Sequence, residues 1–223
     1  MRKARIVFSL LFLAAISRSA HADLIWSDAY KSPMSNWGAY MYDQNVKRHL
    51  RERATQPAGQ ATMATTPAAP ASPSAPISAT DFPRNPNGKD VVAQFIAAAN
   101  LPESEGSKLG TALRSTMAQL GAAGRKDNIA TAMTLLIGLS FGVLEKPGFD
   151  PSRADDLIPI VNDGLVASPQ FKSLGAAERQ SMYDSLLLSA SVIAIVHQSG
   201  NKEASKTIAK QTLQQLLGPS SEY

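Results

Sequence analysis

IATAMTLLIGLSFGVL, residues 129–144, and MYDSLLLSASVIAIV, residues 182–196, decide how this chain folds. The first carries Met133, Leu135, Leu136, Ile137, Leu139, Phe141, Val143 and Leu144; the second carries Leu186, Leu187, Leu188, Val192, Ile193 and Ile195. Neither alternates in the way a half-buried strand does, and both are apolar on nearly every side of a helix. Such helices belong in the middle of a bundle or in a membrane. The first stretch is uncharged for 16 residues, short of the roughly 20 that span a bilayer. It also contains Thr131, Thr134 and Ser140 without flanking aromatic belts. Both are therefore read as central core helices.

Amphipathic helices are expected around this pair. Asn201 is placed to cap a helix whose apolar positions Ala204, Ile208, Leu213, Leu216 and Leu217 share one face, with Gly218-Pro219 ending it. Asp150-Pro151 opens another through Leu157, Ile160, Val161 and Leu165, with Pro159 expected to kink or split it. Shorter helices are expected from Lys89 to Ala99 and from Ser104 to Leu120, the latter closing on Gly121 and Gly124. Asn87-Gly88 marks a turn before the first, and β signals are otherwise nearly absent. The expected fold is all-α, a bundle of five or six helices over residues 84–218.

Upstream the composition changes twice. Residues 54–83 are mostly Ala, Thr, Ser and Pro, with prolines at 57, 67, 70, 73, 76 and 83. Such a segment has too little apolar surface to offset chain entropy and reads as a disordered linker. Residues 23–53 form an arm with both tryptophans, Trp26 and Trp37, and with Tyr30, Tyr40 and Tyr42, followed by the basic cluster Lys47 to Arg53. Its aromatics either dock on the bundle in cis or anchor a protein or envelope-surface partner in trans. The basic cluster would suit an anionic surface.

Residues 1–22 have the three-part layout of a secretory signal. Arg2, Lys3 and Arg5 precede an apolar run from Ile6 to Ile16, and Ala20-His21-Ala22 fits a signal peptidase, with cleavage expected between Ala22 and Asp23. The expected location is the periplasm or outside the cell, with no membrane span after cleavage. The chain has 22 basic and 18 acidic residues, and four of the basic ones lie in the signal, which has no acid. The mature chain is then electrically neutral, without the global field that attracts nucleic acid. Cysteine is absent, which excludes disulfides, thiolate nucleophiles and Cys-based zinc sites.

The candidate chemistry is thin. Gly138-Leu139-Ser140-Phe141-Gly142 matches G-x-S-x-G, and Asp150 and His197 follow in hydrolase order. That motif needs a strand-to-helix elbow, whereas here it lies inside a helix. The two glycines are read instead as a notch for close helix approach. His197 is read as a structural residue near a helix C-terminus. The acid pairs Glu103/Glu105 and Asp155/Asp156 are read as acids in or near a first turn that favour a helix N-terminus rather than as a glycosidase pair. No H-x-x-x-H, E-x-x-H or phosphate-loop pattern occurs, so neither a metal nor a cofactor is expected.

Two stretches carry a family likeness: Lys126-Asp127-Asn128-Ile129-Ala130-Thr131-Ala132, and Ala177-Glu178-Arg179-Gln180 through Tyr183 to Leu188, with the final helix ending at Leu216-Leu217-Gly218. The folded region resembles a family of uncharacterised exported bacterial proteins, a helical domain of unknown function. In the family the first stretch reads N-D-V-A-x-A, and here Asp and Asn are in the reverse order. The resemblance implies a helical fold and an envelope location, and no activity, cofactor or catalytic residue. The expected function is non-enzymatic, through protein or envelope-surface contacts. The alternative is a small periplasmic hydrolase using Ser140 and His197 or paired carboxylates.

Overall fold

A computed structural model describes residues 74–145 and 151–218. The expected signal peptide, the aromatic arm with Trp26, Tyr30, Trp37, Tyr40 and Tyr42, the linker up to residue 73, the cap at Asp150 and the tail from Pro219 lie outside the described residues. Those residues hold seven helices: α1 Val91–Ala99, α2 Glu103–Ala122, α3 Ile129–Val143, α4 Ile158–Ala167, the single turn α5 Pro169–Lys172, α6 Ala176–Gln198 and α7 Lys202–Leu217. Two 3-10 segments, Ile77–Thr80 and Pro151–Leu157, complete them. The described residues contain one isolated antiparallel bridge, Asp81 with Asn128, and no strand. The all-α expectation holds, with six helices of nine residues or more and one extra turn.

Local sequence sets the boundaries. The side chains of Asp90, Asn128, Ser168 and Asn201 accept hydrogen bonds from the N–H groups of Ala93, Thr131, Phe171 and Ala204. Each satisfies a donor that the first helical turn leaves open. Asn100 ends α1 in the left-handed region, at φ 48°. Pro159 lies in the first turn of α4, where its missing N–H costs nothing, and the expected single helix is split at Leu157.

The two apolar helices α3 and α6 pack together at the centre. α6 also meets α1, α2 and α7, and α3 also meets α4 and α7. Leu136, Ile137, Phe141, Leu186 and Ile193 are buried between them and their neighbours. Ile208, Leu213, Leu216 and Leu217 bury the predicted face of α7. Buried serines turn back onto their own helices: Ser140 donates to Leu136 O (2.8 Å), Ser189 to Ser185 O (2.9 Å) and Ser191 to Leu187 O (2.7 Å). That satisfies the hydroxyl without a partner helix.

Two expectations change. A Cβ placed on Gly142 would meet nothing within 4 Å among the described residues, so the expected notch is not a close approach there. On α2 the glycines that meet a neighbouring helix closely are Gly106 and Gly121. A Cβ on Gly106 would come 2.9 Å from Ile96 Cγ2 of α1, and one on Gly121 would come 3.3 Å from Leu187 Cδ1 and from the Tyr183 hydroxyl of α6. Gly106 lets α1 and α2 close as a hairpin, and Gly121 lets α2 approach α6. The folded region also begins before Arg84. Thr80 and Phe82, assigned to the linker by composition, are buried against the helices. Two inward side chains suffice where prolines already restrict the backbone.

Candidate functional site

Residues 75–85 form a strap that runs from α4, past the N-terminus of α3, to the first half of α6. From the end of the 3-10 turn onward alternate side chains turn to the helices: Thr80 and Phe82 are buried, and Arg84, partly exposed, lies over Tyr183. The Thr80 hydroxyl donates to Asn162 Oδ1 of α4 (3.0 Å) and accepts from Asn128 Nδ2 (3.0 Å). The Phe82 ring packs on Tyr183, centroids 5.4 Å apart with planes tilted by 59°. Arg84 reaches Asp127 through Nε (2.7 Å) and Asp184 through Nη2 (2.9 Å), and its guanidinium lies 5.3 Å from the Tyr183 ring centroid and 5.7 Å from that of Phe82. Of the outward residues, Asp81 receives two hydrogen bonds from Arg125.

The helices hold the strap largely by its backbone. Ala75 N donates to Asp163 Oδ1 (2.8 Å), and Asn162 Nδ2 donates to Ala75 O (3.0 Å). Asn128 Nδ2 donates to Ile77 O (2.8 Å), and Phe82 N donates to Asp127 O (3.1 Å). Gln180 makes both amide bonds to one residue: Asn85 N donates to its Oε1 (2.7 Å) and its Nε2 donates to Asn85 O (3.0 Å). A primary amide paired in this way imitates an adjacent strand.

Asn128 is the hub. Its Oδ1 caps α3 by accepting from Thr131 N and Oγ1, while its Nδ2 serves Ile77 O, Thr80 and Asp81. The preceding Asp127 is in the left-handed region, φ 52°, which turns its carbonyl to the strap and its carboxylate to Arg84. The carboxylates of the clasp differ in character. The Arg125 guanidinium holds Asp81 below the usual carboxylate range. Burial pushes Asp184 up, and the bonds from Arg84 only partly offset it. Desolvation therefore outweighs pairing at Asp184.

The residues singled out from sequence lie elsewhere. Ser140 is fully buried inside α3 with its hydroxyl on Leu136 O, and no elbow surrounds it. His197 is in the last turn of α6, as expected, with Nδ1 3.3 Å from Ser205 Oγ. Glu103 and Glu105 are in the first turn of α2. Asp155 and Asp156 fall in the 3-10 segment just ahead of α4, near its first turn. Among the described residues, no three His, Asp or Glu side chains gather as metal ligands, and no helix is long and apolar enough to cross a membrane.

Sequence reasoning missed Arg84, Asp127, Gln180 and Asp184 as a set, because they are far apart in the chain. The available signal was the pair of family-like stretches, since Asp127-Asn128 and Gln180 to Asp184 line the two sides of the strap. A model of a family of unknown function (DUF6683) matches residues 1–222. The chain belongs to that family. No curated protein and no solved structure matches it. In this DUF6683 chain the site is a clasp for the strap, built largely from side-chain amides and carboxylates.

Proposed function

We propose that this is an exported, non-enzymatic envelope protein that acts through protein or envelope-surface contacts. The aromatic arm, residues 23–53, is the contacting element, and the helical bundle is its holder. The observation that carries this reading is the strap. The chain that follows the arm and its Pro/Ala tether is held at one end by Asn162 and Asp163 and at the other by Gln180, Asp127 and Asp184. A root fastened to three helices gives a tethered arm a fixed point of departure. The signal layout, with cleavage between Ala22 and Asp23, supports export to the periplasm. The neutral mature charge favours partners recognised by shape and aromatic contact over nucleic acid. The hydrolase reading loses its support at Ser140, whose hydroxyl is bonded inside its own helix.

The test deletes residues 23–53 behind an intact signal. Cross-linking in the periplasm loses its adducts, while the melting temperature of the purified bundle stays the same. A large fall in melting temperature with unchanged cross-linking would sink the proposal and make the arm part of the fold. N-terminal sequencing of the exported protein should begin at Asp23.

A further inference from the structure

The clasp has the parts of a peptide-recognition groove. Main-chain hydrogen bonds supply attachment, and pockets for alternate side chains supply specificity. Asn162, Asn128, Asp127 and Gln180 read the backbone at four places along the strap. Three pockets take a hydroxyl, an aromatic ring and a guanidinium in the order of Thr80, Phe82 and Arg84. Every reading group belongs to α3, the turn before it, α4 or α6, so the groove is built without the strap's own residues.

The strap joins the bundle through residues 86–90, all of them exposed, with Pro86 restricting the backbone. Beyond this hinge only Thr80 and Phe82 of the strap are fully buried. A segment with few buried apolar contacts opens at lower free energy than the core it lies on.

We propose that the groove also accepts the strap of a second copy of this chain, giving a dimer in which residues 75–85 are exchanged. A second copy offers an occupant that fits all three pockets and repeats every hydrogen bond. The exchanged and closed forms therefore differ only in the hinge and in the cost of association, as in domain swapping. This inference does not depend on what the arm binds.

The chain has no cysteine, which makes a direct test possible. Two mature full-length variants with different tags, Asn85→Cys and Gln180→Cys, are mixed at high concentration under mild oxidation. Exchange yields a covalent heterodimer at several times the level given by Asn85→Cys mixed with Gln211→Cys, on the exposed side of α7. A yield no higher than that control overturns the proposal. Should either variant fail to fold, a fluorescent peptide of residues 74–86 is titrated into the unmodified mature chain. Binding that the unlabelled peptide displaces supports exchange, and no binding overturns it. Peptide binding without a cross-linked heterodimer also overturns it, and assigns the groove to a foreign segment instead.

Discussion

The centre of the bundle and the strap are both buried in part, but they are held by different physics. Between α3 and α6 the contacts are many, apolar and redundant. Polar atoms of this core are incidental: the hydroxyls of Thr134 on α3 and Thr212 on α7, and Gln215 Oε1 on α7, have no partner among the described residues. Under the strap, Asn128, Asn162, Thr80 and Gln180 each make two or more directional bonds. The bundle therefore tolerates an unsatisfied hydroxyl, whereas the strap depends on a few bonds that nothing else replaces.

The largest expected effect tests the bundle. Leu136→Ala, at a fully buried position, lowers unfolding free energy by about 3–4 kcal/mol, with the loss spread over the whole domain in hydrogen exchange. Asn128→Ala comes next, at about 2–3 kcal/mol. It removes a helix cap and leaves Ile77 O and the Thr80 hydroxyl short of a donor. Its exchange signature should centre on residues 75–85 and the first turn of α3. Equal loss of protection everywhere would show that strap and bundle are a single unit.

The glycines sharpen the comparison within the bundle. Gly106→Ala meets Ile96 Cγ2 and should destabilise by about 1 kcal/mol. Gly142→Ala meets open space among the described residues and should stabilise by about 0.5 kcal/mol through helix propensity. Denaturant midpoints distinguish the two signs.

The smallest effect is in pH, and it contrasts two carboxylates of the clasp. Asp81 has its folded pKa below the ordinary 3.8, so its contribution is present above that value and is lost as the pH falls through the folded pKa. Asp184 is shifted upward. Its contribution is full below 3.8 and is lost as the pH rises through the folded pKa. Asp81→Asn should flatten the rise of stability between acid and neutral pH, and Asp184→Asn should steepen it. Matching slopes for both variants would contradict the opposite shifts.

Much of this was legible because the signals are local. The apolar runs at 129–144 and 182–196, the cap at Asn201 and the break at Pro159 all act within one or two helical turns, where spacing alone carries the information. The clasp was not legible. Arg84 meets Asp184 across 100 residues and Asn85 meets Gln180 across 95, and nothing within either neighbourhood announces the other. Gly142 was misleading for a related reason. A small residue permits close approach, but which helix arrives depends on packing, and α1 closes on α2 at Gly106.

By itself, then, the sequence determined an all-α bundle with two fully apolar helices at its centre, since hydrophobic periodicity leaves those residues nowhere else to go. Only the tertiary structure decided that an Ala/Pro/Ser/Thr-rich stretch carries a buried strap. Composition measures how much surface a segment can bury, whereas burial of Thr80 and Phe82 depends on amides and carboxylates that other helices bring to meet them.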